Sequence, residues 1–220
     1  QHQDASISNP LPGQAGWNYQ HRVGGRISAL WKPFDGLSVE MAYDRAKGES
    51  TPFYSQLVNY NPNNRPVGTY VGTKLTCPEP ATSCIAPLSP LVVVGGYKRQ
   101  TAAEIGVPQQ PSVDNTEGFI GTLKYKASPE LELRSITAWR SVSTEQWDNS
   151  GGPHRTIFAP NANFSRYSLS YLEQNQFSQE FQAVGSLDSL DYVVGLYYFT
   201  EKVREFAATP STNKWNATGT

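Results

Sequence analysis

The chain has 220 residues, of which 38% are hydrophobic and 17% charged, and its formal net charge is −1 at pH 7. A charge this close to neutral gives no indication of a nucleic-acid partner. No apolar run approaches the roughly 18–20 residues of a membrane-spanning helix. The composition therefore excludes a helical membrane protein but not a β-barrel, whose alternating strands escape hydropathy averages.

The residues at both ends of the sequence resemble the middle of a longer chain. The chain starts QHQDAS, without an initiator Met and without the apolar core of a signal peptide. It ends KWNATGT, which has no feature of a domain boundary. We expect an excerpt of a longer protein.

The first strong pattern is an alternation of apolar and polar residues over 26–44, RISALWKPFDGLSVEMAYD. The alternation reverses at Pro33–Gly36, as expected for a β-hairpin with a tight turn. One face of this hairpin carries no charge, whereas Glu40 and Asp44 belong to the other.

A long segment, 49–115, follows this hairpin and contains many prolines and glycines but few charges. It is too long for an inert connection in a compact domain. One interpretation is a solvated outer loop with some disorder. The other is a loop that grips a ligand, for which aromatic and Arg side chains are the preferred contacts. The candidate contacts are Tyr54, Tyr60, Arg65 and Tyr70.

The same segment holds the two cysteines, Cys77 and Cys84, in CPEPATSC. Their short spacing and the intervening prolines suit a small closed loop, so we predict a local disulfide, with free thiols as the alternative. A metal site would need further Cys or His nearby, and none is predicted. A disulfide implies an oxidising compartment.

Two further hairpins of the same construction occur at 119–140 and 177–198, with turns around 128–130 and 186–189. The segment 141–168 between them contains TEQWDNSGGPHR. Its candidate ligand contacts are Trp147, Asp148, His154 and Arg155, with a solvated rim as the alternative.

In all six alternating segments the ionic residues keep to one face. We predict that this face lines a hydrated lumen, and that its lumen-facing residues are Glu40, Asp44, Lys124, Glu132, Arg134, Arg140, Glu180 and Gln182. A soluble β-sandwich would produce the same alternation. The segments are longer than the roughly 5–6 residues of soluble strands, however, and match the roughly 9–11 residues of a strand that crosses a bilayer. Aromatic residues near the strand ends are interpreted as an interfacial girdle or as core residues; these are Trp31, Tyr125, Trp139 and Tyr192.

Three segments together resemble the barrel of TonB-dependent outer-membrane receptors, especially the sphingomonad- and Caulobacter-type group. They are GGRISALWKPFDGLSVEMAYD (24–44), LELRSITAWR (131–140) and SQEFQAVG…LDYVVGLYYFTEK (178–202). The resemblance implies an all-β, antiparallel transmembrane β-barrel segment, about six of 22 strands, with short periplasmic turns and long extracellular loops. It places hairpins near 17–48, 116–143 and 169–206 and loops near 49–115 and 144–168.

The resemblance also implies a function, namely uptake of a scarce nutrient across the bacterial outer membrane. The substrate would be a ferric siderophore, another metal complex or a large organic molecule. The implied partners are outer-membrane lipid, the remaining barrel, the plug of the same receptor and the TonB complex that acts through the plug. Neither a plug nor a TonB box is visible, and six strands cannot close a bacterial barrel, so a partial sequence is expected.

Other functions remain open at this point. A passive porin or structural barrel would have the same strands, and a soluble carbohydrate-binding module is a more distant alternative. No nucleophile-elbow motif is present, and nothing brings His154 and Asp148 to a serine, so we expect neither an enzyme nor a cofactor.

Overall fold

The computed structural model describes residues 1–59, 65–148 and 157–219. Within these residues every regular element is a β-strand, and no helix is long and apolar enough to cross a membrane. The strands are β1 (His2–Gln3), β2 (Gln20–Phe34), β3 (Leu37–Ser50), β4 (Thr69–Val71), β5 (Lys74–Thr76), β6 (Ser112–Ser128), β7 (Leu131–Asp148), β8 (Asn163–Arg166), β9 (Ser168–Leu187), β10 (Leu190–Ala208) and β11 (Ser211–Lys214).

Seven strands form one antiparallel sheet in the order β1-β2-β3-β6-β7-β9-β10. Its six long strands make three hairpins, with turns at 35–36, 129–130 and 188–189. Gly36 has φ 90°, a conformation that glycine adopts without steric cost. The predicted all-β, antiparallel fold class is confirmed, and the sheet of this chain is open rather than closed into a barrel.

The strand register brings the predicted uncharged residues of all six strands to one side. Directly paired residues of an antiparallel sheet project to the same side. One row of such pairs consists of Ala29, Met41, Gly121, Thr137, Gln179 and Tyr198. We call this side, from the turn ends of the strands to the row of Tyr43 and Phe119, the uncharged face.

The opposite side, the charged face, carries every residue that the sequence predicts to face a lumen. Glu40 is paired with Thr122, and Lys124 with Arg134, which is paired in turn with Gln182. The remaining members lie in the same rows or in rows two or four positions away; they are Asp44, Glu132, Arg140 and Glu180.

Neither face of this sheet forms a hydrophobic core with the described parts of the chain. Leu196 and Ile27 of the uncharged face are 76% and 71% exposed, and Met41 is 38% exposed. In a soluble β-sandwich a second sheet would cover such side chains at a distance of about 10 Å. The sandwich interpretation is therefore not supported.

The buried hydrophobic clusters lie instead in the connecting segments, which we call the loop layer (5–19, 51–59, 65–111, 157–162 and 215–219). One cluster contains Ile7, Trp17, Ala103 and Val107. The other contains Ile105, Phe158 and Trp215. The segment between β3 and β6 thus contributes to both clusters.

Polar groups buried in the loop layer hold its segments together. The Asn9 amide donates to the Val107 carbonyl at 2.8 Å, and the Gln109 amide donates to the carbonyls of Ala15 and Gly16 at 3.2 Å. The Ser89 hydroxyl donates to the Gly219 carbonyl at 2.7 Å. These bonds join segments that are far apart in the sequence, so the layer is one packed unit.

Candidate ligand site at the loop end of the sheet

A cavity of about 580 Å³ lies where the loop layer meets the sheet. Its lining comes from β1, from the segment before β2 and the start of β2, from the end of β3 and the residues after it, and from β6 and β7. The lining residues are Gln3, Asn18, Tyr19, Gln20, Arg22, Ser50, Thr51, Pro52, Phe53, Ser112, Asp114, Gln146, Trp147 and Asp148. This volume lies within the range of about 300–1,000 Å³ of small-molecule sites.

The sheet positions its part of the lining through strand alternation. Arg22 is paired with Gly48, and Gly48 with Asp114, so Arg22 and Asp114 project from the same side with a glycine between them. Two-residue steps along the strands connect this row to Arg26 and Asp44 of the charged face. The cavity therefore opens onto the continuation of the charged face.

Gly48 leaves a notch between the two ionic side chains. A Cβ at this position would lie 3.8 Å from Cγ of Arg22 and 3.9 Å from Cβ of Asp114. A second cavity of about 410 Å³ shares Arg22 and Asp114 with the first, includes Gly48 and extends along the charged face to Thr116. The two cavities together form a path from the loop layer along the sheet.

Hydrogen bonds fix several of the lining groups. The Ser112 hydroxyl accepts from the Trp147 amide at 2.9 Å and donates to the Trp147 carbonyl at 3.2 Å. The Trp147 ring stacks on Tyr167 with a centroid distance of 5.3 Å. Thr51, which is 8% exposed, accepts from the Tyr19 amide at 2.9 Å. These bonds hold the backbone of Trp147 and Tyr19 at the edge of the cavity.

The ionic groups of the cavity are available to a ligand. Within the described residues, neither Arg22, Asp114 nor Asp148 forms an ion pair. The Gln20 side-chain amide finds hydrogen-bond partners when its oxygen faces Arg22. The oxygen then accepts hydrogen bonds from Nε and Nη2 of Arg22, each at 3.1 Å. This contact orients the guanidinium and leaves its remaining N–H groups free of protein carboxylates.

The structure separates the sequence-predicted ligand contacts into several groups. Trp147 and Asp148 line the cavity. Arg65 is exposed and is not among the lining residues. Tyr60, His154 and Arg155 lie outside the described residues.

Two predicted contacts, Tyr54 and Tyr70, pack against the hydrophobic clusters of the loop layer. Tyr54 packs edge-on against Trp17 at 5.3 Å, and its hydroxyl donates to Glu104. Burial, and then the hydrogen bond to Glu104, raise the pKa of Tyr54 above its ordinary value, so the hydroxyl stays a donor at neutral pH. Tyr70 packs edge-on against Phe158 at 5.7 Å. Both rings belong to the clusters of the loop layer.

The predicted lumen-facing residues form short polar networks. Arg26 and Arg140 both approach Asp44, at 3.7 and 3.6 Å. Arg140 reaches Asp44 across Gly118, where a Cβ would lie 3.3 Å from its Nη2. Glu132 binds Arg134 at 2.6 Å, and this pairing keeps charge of both signs on the face.

The two cysteines are joined in the structure, with their Cα atoms 5.3 Å apart. A Cβ at Gly68 would lie 2.7 Å from Sγ of Cys84, so the disulfide packs directly on a residue without a side chain. Among the described residues, no group of three His, Cys, Asp or Glu is placed to hold a metal ion.

Sequence reasoning missed Arg22, Asp114 and Gln146 because it ended the alternating segments too early. The structure extends β2 back to Gln20 and β7 forward to Asp148. Arg22 and Asp114 continue the alternation of the charged face beyond the alternating segments 26–44 and 119–140. Following the parity into the less regular flanking sequence would have found them.

Comparisons with known proteins agree with this architecture. No family model matches the chain, and no curated protein matches it. Among solved structures, it is similar to the ferric yersiniabactin uptake receptor FyuA from Yersinia pestis, with 18% sequence identity and a TM-score of 0.57. The match covers 98% of this chain and 27% of that receptor, so the chain spans about a quarter of its length. At this identity the similarity supports the fold, a sheet of the barrel type.

Proposed function

We propose that this chain forms part of the barrel wall and the ligand-facing loops of a TonB-dependent outer-membrane receptor. Such a receptor takes up a scarce nutrient, and in this proposal the source is a bacterium of the sphingomonad or Caulobacter type. The observation that carries the proposal is the boundary of the uncharged face. The similarity in fold to an uptake receptor supports it.

The boundary consists of two adjacent rows of the sheet. Four neighbouring strands place an aromatic residue in one row: Tyr43, Phe119, Trp139 and Phe177. The next row on the same side is polar and ionic: Arg45, Glu117, Ser141, Asn175 and Lys202. Aromatic belts next to polar groups are typical of the membrane–water interface.

Tyr43 connects the two rows, since its hydroxyl donates to Oε2 of Glu117 at 2.8 Å. A tyrosine at a membrane interface has this arrangement, with its ring towards hydrocarbon and its hydroxyl towards water. Of the four residues that the sequence analysis names as a girdle or as core residues, Trp139 lies in this row.

The uncharged face has the height of a bilayer. Its outward positions on β10 run from Leu190 to Thr200. Ten residues of a strand rise about 33 Å. At a tilt of about 40° they cover about 25 Å, which equals the apolar band of outer-membrane barrels. The uncharged face would therefore contact lipid, and the charged face would line a hydrated interior, where ion pairs carry no large desolvation cost.

Barrel closure needs further strands, because the outer edges of β2 and β10 would leave unpaired backbone groups in lipid. We propose that the remaining barrel of the same receptor supplies them, with a plug and the TonB complex as further partners. The two-residue turns would face the periplasm and the loop layer the medium, where a disulfide is stable. We assign no catalytic step to the chain.

Energy-dependent uptake tests the receptor against the porin alternative. The full-length gene is expressed in Escherichia coli strains with and without a functional tonB gene, and substrate accumulation is measured. A receptor accumulates its substrate only in the strain with TonB. Equal entry in both strains would favour the passive porin.

Surface labelling tests the orientation. Single cysteines replace Tyr97, which is 96% exposed in the loop layer, and Asp188 in the β9–β10 turn. A membrane-impermeant maleimide should label Tyr97→Cys in intact cells and Asp188→Cys only after the outer membrane is permeabilised. Labelling of both, or of Asp188→Cys alone, would contradict the proposed topology.

A further inference from the structure

We infer that the outer side of β10 binds the anionic headgroup of a membrane lipid through Lys202 and Arg204. Both residues lie just beyond the row of Tyr43 and Phe119, which we call the aromatic row. The inference rests on the proposed function, which puts the uncharged face in lipid. It adds a lipid partner and the leaflet in which that lipid lies.

The loop end of β10 separates its charges by sign. Lys202 and Arg204 follow Thr200 in steps of two residues, so they project to the side of the uncharged face. Glu201 and Glu205 are shifted by one position and project to the side of the charged face. The outer side of this strand end therefore carries only positive charge.

The neighbouring strands give the same two rows a basic character. The row of Lys202 contains Arg45 of β3, and the row of Arg204 contains Lys47. Lys and Arg end there, because the next row towards the loops has two carboxylates and no Lys or Arg. That row consists of His21, Glu49, Val113, Glu145, Tyr171 and Phe206. The cations are thus concentrated directly outside the aromatic row.

Tyrosine hydroxyl groups bind the two carboxylates that lie within the basic rows. Tyr43 donates to Oε2 of Glu117 at 2.8 Å, and Tyr171 donates to Oε1 of Glu173. Within the described residues, neither carboxylate forms an ion pair. They therefore do not neutralise the cations of these rows by direct contact.

The cations of β10 have no counter-ion in the part of the chain that the structure describes. Neither Lys202 nor Arg204 forms an ion pair there, and both are exposed. On β3, by contrast, Nζ of Lys47 lies 2.6 Å from Oε1 of Glu49. The β10 pair is therefore the better site for an external anion.

The depth of these residues matches the headgroup layer of a bilayer. A step of two residues rises about 6.6 Å along a strand, or about 5 Å along the membrane normal at a tilt of about 40°. Lys202 and Arg204 therefore lie about 5 and 10 Å beyond the aromatic row. The headgroup layer is about 5–8 Å thick, and long basic side chains extend within it.

The turn end of the sheet has the opposite charge. The three turns at 33–36, 128–130 and 186–189 contain Asp35, Glu130 and Asp188 but no Lys or Arg. Basic residues near a membrane surface attract anionic lipids, whereas carboxylates repel them. The preference for an anionic headgroup thus belongs to the leaflet at the loop end.

Photochemical crosslinking of the full-length receptor tests the inference. The photoreactive residue p-benzoylphenylalanine replaces Asn175, which is exposed and is paired with Lys202. The receptor is reconstituted in vesicles of equal parts phosphatidylcholine and phosphatidic acid. Mass spectrometry then identifies the lipid that irradiation attaches. Phosphatidic acid, whose headgroup is a phosphate, should exceed phosphatidylcholine about fivefold or more, as expected for one or two cations near the surface.

Matched variants separate this site from general charge effects. Lys202→Gln/Arg204→Gln should make the attachment of the two lipids equal, whereas Lys202→Arg/Arg204→Lys keeps the charge and should keep the excess. Lys74→Gln/Lys98→Gln removes two charges from the loop layer and should leave the excess unchanged. Equal attachment in the receptor with both cations, or an excess that survives Lys202→Gln/Arg204→Gln, would overturn the inference.

A second photoreactive position distinguishes the inference from the proposed function. At Leu196, which is 76% exposed on the uncharged face, the same photoreactive residue should attach either lipid. Lipid attachment at Leu196 without an excess of phosphatidic acid at Asn175 would overturn the inference and leave the proposed function intact. An excess at Asn175 in a receptor whose substrate enters without TonB would support the inference and overturn the receptor function. Absence of lipid at Leu196 would overturn both.

Discussion

The sheet and the loop layer bury their side chains in opposite ways. Leu196 in the sheet is 76% exposed, whereas Val107 in the loop layer is 0% exposed and Trp17 is 1% exposed. In a soluble domain the long strands would form the core and the loops would be exposed. The proposed function accounts for this reversal, because in it the uncharged face contacts lipid and the loop layer folds in water.

The largest expected effect comes from the core of the loop layer. Trp17→Ala should destabilise this layer by about 3–5 kcal/mol, because a buried aromatic side chain leaves a cavity. The sheet should keep its stability, since Trp17 packs on Ile7, Ala103, Val107 and Tyr54 rather than on the long strands. Hydrogen exchange of the full-length protein should show faster exchange at 101–109 and unchanged protection in β6 and β7.

Phe53→Ala is the control for this experiment, because Phe53 is 89% exposed and its removal should change stability by less than about 0.5 kcal/mol. Loss of protection in both regions after Trp17→Ala would show that the loop layer and the sheet unfold together. The comparison between them would then be incorrect.

A second pair of variants tests the two faces of the sheet. Leu123→Arg puts a cation on the uncharged face and should cost about 2–4 kcal/mol near the bilayer centre. Thr122→Arg places the same cation on the charged face, opposite Glu40 and Ile136, and should be tolerated. Heat-modifiable migration of the full-length protein in gel electrophoresis reports the folded fraction. Equal effects of the two variants would contradict the assignment of the faces.

Much of the sheet is predictable because a strand has a period of two. Once the turn at Gly36 is recognised, each residue of the first hairpin has only two possible faces, and charge selects one. The same rule places Glu180 and Arg134 correctly. It fails at the strand ends, where Arg22 and Asp114 were missed because the flanking sequence loses its apolar residues.

The loop layer is not predictable in this way. Its contacts join residues that are far apart and lie in irregular segments; Asn9 and Val107, for example, are separated by 98 positions. No period links such residues. Residue type alone also does not show that Tyr54 and Tyr70 pack against hydrophobic clusters, since an aromatic ring suits a ligand contact equally well. The cavity, which depends on both regions, was therefore only half predicted, through Trp147 and Asp148.

A third prediction concerns the turn end of the uncharged face. Tyr192 is paired with Gly185, and a Cβ at Gly185 would lie 2.2 Å from Cζ of Tyr192. Gly185→Val should therefore displace the ring and destabilise the β9–β10 hairpin by about 1–3 kcal/mol. Gly25→Ala is the matched control, because a Cβ there has no atom within 4 Å. Equal thermal stability of the two variants in detergent would show that the ring does not depend on Gly185.

The smallest effect is the most specific test of lipid contact. Three polar residues in the middle of the uncharged face satisfy one another: Thr137 donates to Gln179 at 2.6 Å, and Gln179 donates to Ser135 at 3.0 Å. In lipid, polar groups without partners are costly. Thr137→Val should therefore lower the unfolding free energy in bilayers by about 0.6–1.7 kcal/mol, the range of hydrogen bonds measured inside membranes.

The double variant Thr137→Val/Gln179→Leu separates lipid from water as the medium of this face. Leucine has no amide group that could lack a hydrogen-bond partner. In lipid, Gln179→Leu should therefore recover the stability that Thr137→Val loses. On a face exposed to water, each single variant would be nearly neutral, since solvent would hydrogen-bond to the Gln179 amide. The free energy of unfolding in vesicles gives the coupling energy between the two positions. Full recovery of the stability in the double variant requires that water does not reach the Gln179 amide in the single variant. Neutral single variants would instead place the uncharged face in water and remove the basis of the transport proposal.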